Sequence, residues 1–111
     1  MPSILISIKK LLGIQKEYTH FDDDIIMHIN SVLMILTQLG VGPPEGFTIE
    51  DETSEWTDFV DVNEIAAVKT YVYDKVKLIF DPPLSSAVIE AMNRRIAEFE
   101  WRLNVKAESD K

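Results

Sequence analysis

From Ile25 to Leu39 the residues Ile25, Ile29, Val32, Leu36 and Leu39 recur at intervals of four, three, four and three, the spacing of one face of an α-helix. Ile26, Met27, Leu33, Met34 and Ile35 carry apolar character around most of the remaining circumference. A surface helix needs only one stripe, so this segment belongs either at the centre of the domain or against a neighbouring chain. Its start is marked by Phe21 ahead of Asp22, Asp23 and Asp24. That order places an apolar staple before a capping carboxylate and two more acids in the first turn, where free amides and the helix dipole favour anions. Gly40 is expected to end it.

The rest of the chain reads as helix and connection. Ser3 can cap a short apolar helix reaching Leu12, with Gly13 ending it. A third helix is predicted from Val62 or Asn63 to Phe80, on the stripe Ile65, Val68, Val72, Val76 and Ile79, with Asp61 as its cap. Asp81, Pro82 and Pro83 stop it, because proline disfavours helix in the preceding residue and cannot continue the amide ladder. Ser85 or Ser86 caps a fourth helix on Ile89, Met92, Ile96, Phe99 and Leu103, with Glu90/Arg94 and Glu98/Arg102 four apart in the favourable order. The expectation is an all-α fold: a small helical bundle forming a single helical domain over residues 1–111. Two long antiparallel helices are joined by a proline turn, and two N-terminal helices and a long acidic loop at about residues 41–61 complete it.

Within that loop Glu50, Asp51, Glu52, Glu55, Asp58 and Asp61 occur without a basic residue, and Phe47, Ile49, Trp56 and Phe59 are interspersed. The aromatics argue against disorder, and Trp56 is expected to pin the loop to the body. Through Asp61 there are 11 acidic and 3 basic residues, and from Val62 onward 8 of each, so the N-terminal part carries the whole net charge of −8. Such a balance does not favour nucleic-acid binding by phosphate neutralisation. With 111 residues there is room for one core, and with no cysteine there are no disulfides, thiolate metal sites or cysteine nucleophiles. Ile4 to Leu12 lacks the preceding basic residue and following small residues of a signal peptide, and the uncharged stretch Ile25–Pro44 is interrupted by polar residues and glycines. A soluble, intracellular protein is expected.

Catalytic motifs are scarce. His20, Asp22, Asp24 and His28 lie close together, with Asp24 and His28 one helical turn apart, but they match no metal motif, and the aspartates read as first-turn acids. The loop carboxylates have no positioned partner for acid–base work. No serine and histidine form a nucleophilic arrangement, and Gly40, Gly42 and Gly46 are interrupted by prolines and form no phosphate cradle. Arg94, Arg95, Arg102 and Lys106 are mixed with Glu90, Glu98 and Glu100, which suits intrahelical ion pairs better than a duplex. No enzyme, metal or cofactor is implied.

The ordered series His28-Ile29-Asn30-Ser31, Gln38-Leu39-Gly40-Val41-Gly42-Pro43, Gly46-Phe47, Trp56, Lys69-Thr70-Tyr71-Val72-Tyr73, Phe80-Asp81-Pro82-Pro83 and Phe99-Glu100-Trp101-Arg102-Leu103-Asn104 resembles the head-to-tail connector, or adaptor, proteins of tailed bacteriophages and prophages. The resemblance implies a structural virion protein, made in the host cytoplasm, forming a ring of about a dozen copies at the head–tail junction. It would contact the portal protein and a tail completion or stopper protein, and DNA would pass without specific binding. Met27, Met34 and Ile35 would lie between subunits. Glu50, Asp51, Glu52, Glu55 and Asp58 would face the channel or tail, and the segment Trp101 to Lys111, with Trp101, Arg102 and Lys106, would face the portal. The alternative is a monomeric or dimeric helical module that uses the acidic loop to engage a basic partner. A metal-dependent hydrolase around His20 and His28 is a distant third.

Overall fold

The computed structural model describes residues 2–109. It contains α1 (Ile4–Leu11), α2 (Asp22–Gln38), the short α3 (Trp56–Phe59), a 3₁₀ turn (Val62–Glu64), α4 (Ile65–Phe80) and α5 (Ser86–Ser109), with no strand among the described residues. The all-α reading holds.

The helix ends follow local chemistry. Ser3 Oγ accepts from the Ile6 N–H at 3.2 Å, and Ser85 Oγ accepts from the Val88 N–H at 3.3 Å. At the end of α2, Gly40 takes φ +90° and donates to Thr37 O at 3.0 Å, while Val41 N–H reaches Leu36 O at 2.9 Å. This is the Schellman pattern, which needs a left-handed residue past the cap. Two expected caps differ. Phe21, not Asp22, holds the cap position of α2, and its phenyl ring has no oxygen to accept a cap bond; Asp22, the first helical residue, instead forms an ion pair with the buried Lys9, Oδ1 to Nζ 2.8 Å. The Asp61 side chain makes no cap bond either; its carbonyl accepts from Glu64 N–H at 2.9 Å.

The central element is α4, packed against α1, α2 and α5. Its Val68, Val72 and Val76 bury with Ile25, Ile29, Leu33 and Leu36 of α2 and Ile4 and Ile8 of α1. On its other side, Tyr71 Oη donates to Glu100 Oε2 at 2.6 Å and Arg95 pairs with Asp74. Residue numbers fall along α5 as they rise along α4, so the two run antiparallel, joined by residues 81–85, which contain Pro82 and Pro83. At the other end Asn104 Nδ2 donates to Leu39 O at 3.1 Å, tying α5 to the end of α2.

The connection over residues 41–61 is not plain loop. Trp56 begins α3, is fully buried, and donates from Nε1 to Ser7 Oγ at 3.1 Å, so it pins the segment as expected. Backbone contacts Ile4 N to Ser54 O (3.0 Å) and Trp56 N to Pro2 O (3.3 Å) lay the segment along the N-terminus. Earlier in the connection, Asn30 of α2 brackets Ile49: its Nδ2 donates to Ile49 O at 3.0 Å, and its Oδ1 accepts from Ile49 N–H at 2.8 Å. One amide side chain thereby satisfies both backbone groups of a buried residue, replacing the neighbouring strand that the segment lacks.

Candidate assembly surfaces

The core stripe of α2 turns Ile25, Ile29, Val32 and Leu36 toward α4, and the 3.6-residue period then puts Met27 and Met34 on the opposite side. They are 58% and 57% exposed. Ile35 is half-buried, its side chain packed against the core. Between this outer side of α2 and residues 45–48 runs an open groove of about 740 Å³, with Ile26, Met27, Met34 and Phe47 as its apolar lining and Asp23 and Glu45 as its charges. Phe47 is held by its contact with the Phe59 ring, centroids 5.4 Å apart. Sequence reading missed Phe47, Glu45 and Asn30 as part of this surface. A lone amide in so apolar a helix was the available signal, because Asn30 sets the path of the loop that forms the far wall.

Glu50, Asp51, Glu52 and Asp58 are exposed and Glu55 is half-exposed. Glu50, Asp51 and Glu52 share a shallow depression of about 190 Å³ with Asp22 and Asp23 of α2 and Lys16. The structure therefore merges two acidic clusters that are far apart in sequence into one surface bordering the apolar groove. Some of these acids also shape the loop. Asp51 Oδ1 accepts from the Thr53 hydroxyl (2.5 Å) and N–H (2.9 Å), and the hydroxyl first, then the amide, hold its carboxyl below the usual range. Asp58 Oδ2 accepts from the Glu55 N–H at 2.9 Å at the start of α3.

Trp101 is 68% exposed, and Arg102 and Lys106 are also on the surface of α5. Arg102 pairs with Glu98 (3.2 Å) and Arg94 with Glu90 (2.9 Å), the intrahelical bridges expected from their spacing. Asp110 and Lys111, at the end of the segment expected to face a portal, lie outside the described residues.

The histidines join an aromatic group. His20 lies edge-on to Phe21 with centroids 4.8 Å apart, and His28 stands 6.4 Å from Phe80. Among the described residues no three His, Cys, Asp or Glu side chains are grouped to hold a metal ion, and no helix is long and apolar enough to cross a membrane.

The family model described as phage connector protein matches residues 4–110, nearly the whole chain. The chain belongs to the phage connector protein family. No curated protein and no solved structure matches it. Connector-family membership places the chain among structural components of phage particles. The described surface carries an uncovered apolar groove along α2 bordered by an acidic depression.

Proposed function

We propose that this connector protein forms a ring between the portal and the tail of a phage, through which DNA passes. The observation that carries the proposal is a nearly full-length match to the connector family in a chain whose α2 leaves an apolar, methionine-lined groove uncovered. Identical neighbours cover such a groove without any new chemistry. Met27, Met34 and the flank of Ile35 lie between subunits in this reading. The outer end of α5, with Trp101, Arg102 and Lys106, faces the portal. The opposing surface meets a tail completion or stopper protein.

The merged acidic surface has a use in such a ring. Repeated around a channel, Glu50, Asp51, Glu52, Glu55 and Asp58 repel the DNA backbone, so the duplex slides instead of binding. Assembly takes the protein from the host cytoplasm to the head–tail junction of the virion.

Native mass spectrometry and negative-stain imaging of the chain, alone and mixed with its portal protein, test the proposal. Rings, or rings formed only on the portal, support it. A concentration-independent monomer that leaves the portal unoccupied refutes it and favours the helical binding module. Imaging of the particle tests the acidic lining separately: these five carboxylates on the outer circumference would reject it.

A further inference from the structure

We infer that successive copies meet head to tail, the Met27/Met34 groove of one copy seating on the corner between α4 and α5 of the next. The inference rests on the ring reading and names the two surfaces that meet in it. The corner is the second large uncovered apolar region. Leu84, in the connection after Pro83, is 104% exposed, and Val88 in the first turn of α5 is 46% exposed. Next to them lies a depression of about 480 Å³ between α4 and α5, lined by apolar atoms of Tyr73, Pro83, Val88 and Met92 and by two cations, Lys77 and Arg95.

Charge decides how the two surfaces combine. The α2 groove is lined by Asp23 and Glu45 and no base, and the α4/α5 depression by Lys77 and Arg95 and no acid. Arg95 is 48% exposed above its buried partner Asp74 (2.6 Å), whereas Lys77 is paired with the more exposed Asp81 (2.8 Å), so Arg95 is the cation that the groove carboxylates would meet. Pairing two grooves about a twofold axis would set four carboxylates against one another around an apolar contact that excludes water, which is costly. Groove against corner instead joins linings of opposite sign and brings a protruding leucine to two flexible methionines able to mould around it.

Placement on the subunit agrees. α4 separates the outward side of α2 from the start of α5, and the molecule is flattened, 40 × 35 × 20 Å. Groove and corner are thus different surface regions, and contact between different regions propagates from copy to copy and closes into a ring when the rotation permits.

Because the chain has no cysteine, Met34→Cys and Leu84→Cys create unique thiols at exposed positions. Particles assembled from the double variant are treated with a short bismaleimide and separated under denaturing conditions. A ladder of two, three and more linked copies is expected, with a single heterologous dimer band when the two single variants are co-assembled. Efficient dimerisation of Met34→Cys alone, or rings seen by imaging without a ladder, would overturn the head-to-tail pairing while leaving the ring intact. Absence of rings together with absence of a ladder would remove both.

Discussion

Asp74 and Arg95 form a two-pronged ion pair across the seam between α4 and α5, Nε to Oδ2 at 2.7 Å and one terminal nitrogen to Oδ1 at 2.6 Å. The carboxylate is fully buried while the guanidinium side chain is 48% exposed. The pair fixes the rotation of α5 on α4, because a charge removed from water must keep its partner.

Removing the cation alone is therefore expected to be severe. Arg95→Ala should cost about 3–5 kcal/mol, since it strands a buried carboxylate. Arg95→Lys should cost less, retaining charge but not the fork that matches two oxygens. The double variant Asp74→Leu/Arg95→Met should recover most of the loss. Urea unfolding of the variants checks the order.

That pair also marks the limit of what is legible in the sequence. Glu90/Arg94 and Glu98/Arg102 were legible because each pair lies on one helix, where a spacing of four alone brings the side chains together. Asp74 and Arg95 are 21 residues apart, and their meeting depends on how one helix lies on another. The same limit explains Asp22, which reads as a cap until the fold brings Lys9 to it. Met27 and Met34 follow from helical period, whereas Phe47 and Glu45 enter the groove only because Asn30 holds Ile49. α3 escaped notice since four residues are too few to show a period.

Trp56 supplies a second prediction. It has no exposed surface, whereas Trp101 is 68% exposed. Trp56→Ala should destabilise the fold by about 3–5 kcal/mol through the cavity it leaves. In the Trp101→Phe protein the remaining indole emission should resist iodide quenching until urea unfolds the chain. In the Trp56→Phe protein the emission should be quenched from the outset.

Tyr71 makes stability depend on alkaline pH. Burial, then the hydrogen bond to Glu100 and its negative charge, hold the phenol well above its ordinary 10.0. The unfolded chain therefore releases this proton first. The stabilisation is complete below the unfolded value and lost as pH rises toward the folded one. The urea midpoint should fall as pH rises above about 10, and Tyr71→Phe should reduce the fall. An unchanged slope in that variant would remove Tyr71 as its cause.

Gly42 is constrained by both backbone and neighbour. Its φ is +82°, and a Cβ there would collide with the Phe59 ring, which is 3% exposed and supports Phe47. Gly42→Ala should cost roughly 1–3 kcal/mol. Combining it with Phe59→Leu should relieve the collision while leaving the backbone penalty, so a thermal melt of the double variant separates the two contributions.

The methionine groove gives the prediction that separates folding from assembly. On the inner side of α2, Ile29→Ala removes a fully buried side chain and should cost about 2–5 kcal/mol. On the outer side, Met27→Ser/Met34→Ser changes only half-exposed atoms and should move subunit stability by about 0.5 kcal/mol or less per site. If the groove is covered by another copy, the same serines remove apolar contact that exists only in the assembly. Urea unfolding should then leave the double serine variant near the parent, while native mass spectrometry and particle imaging show loss of rings. Rings at parental yield would mean that other surfaces carry the subunit contact, because two hydroxymethyl groups cannot replace the buried apolar area of two methionines.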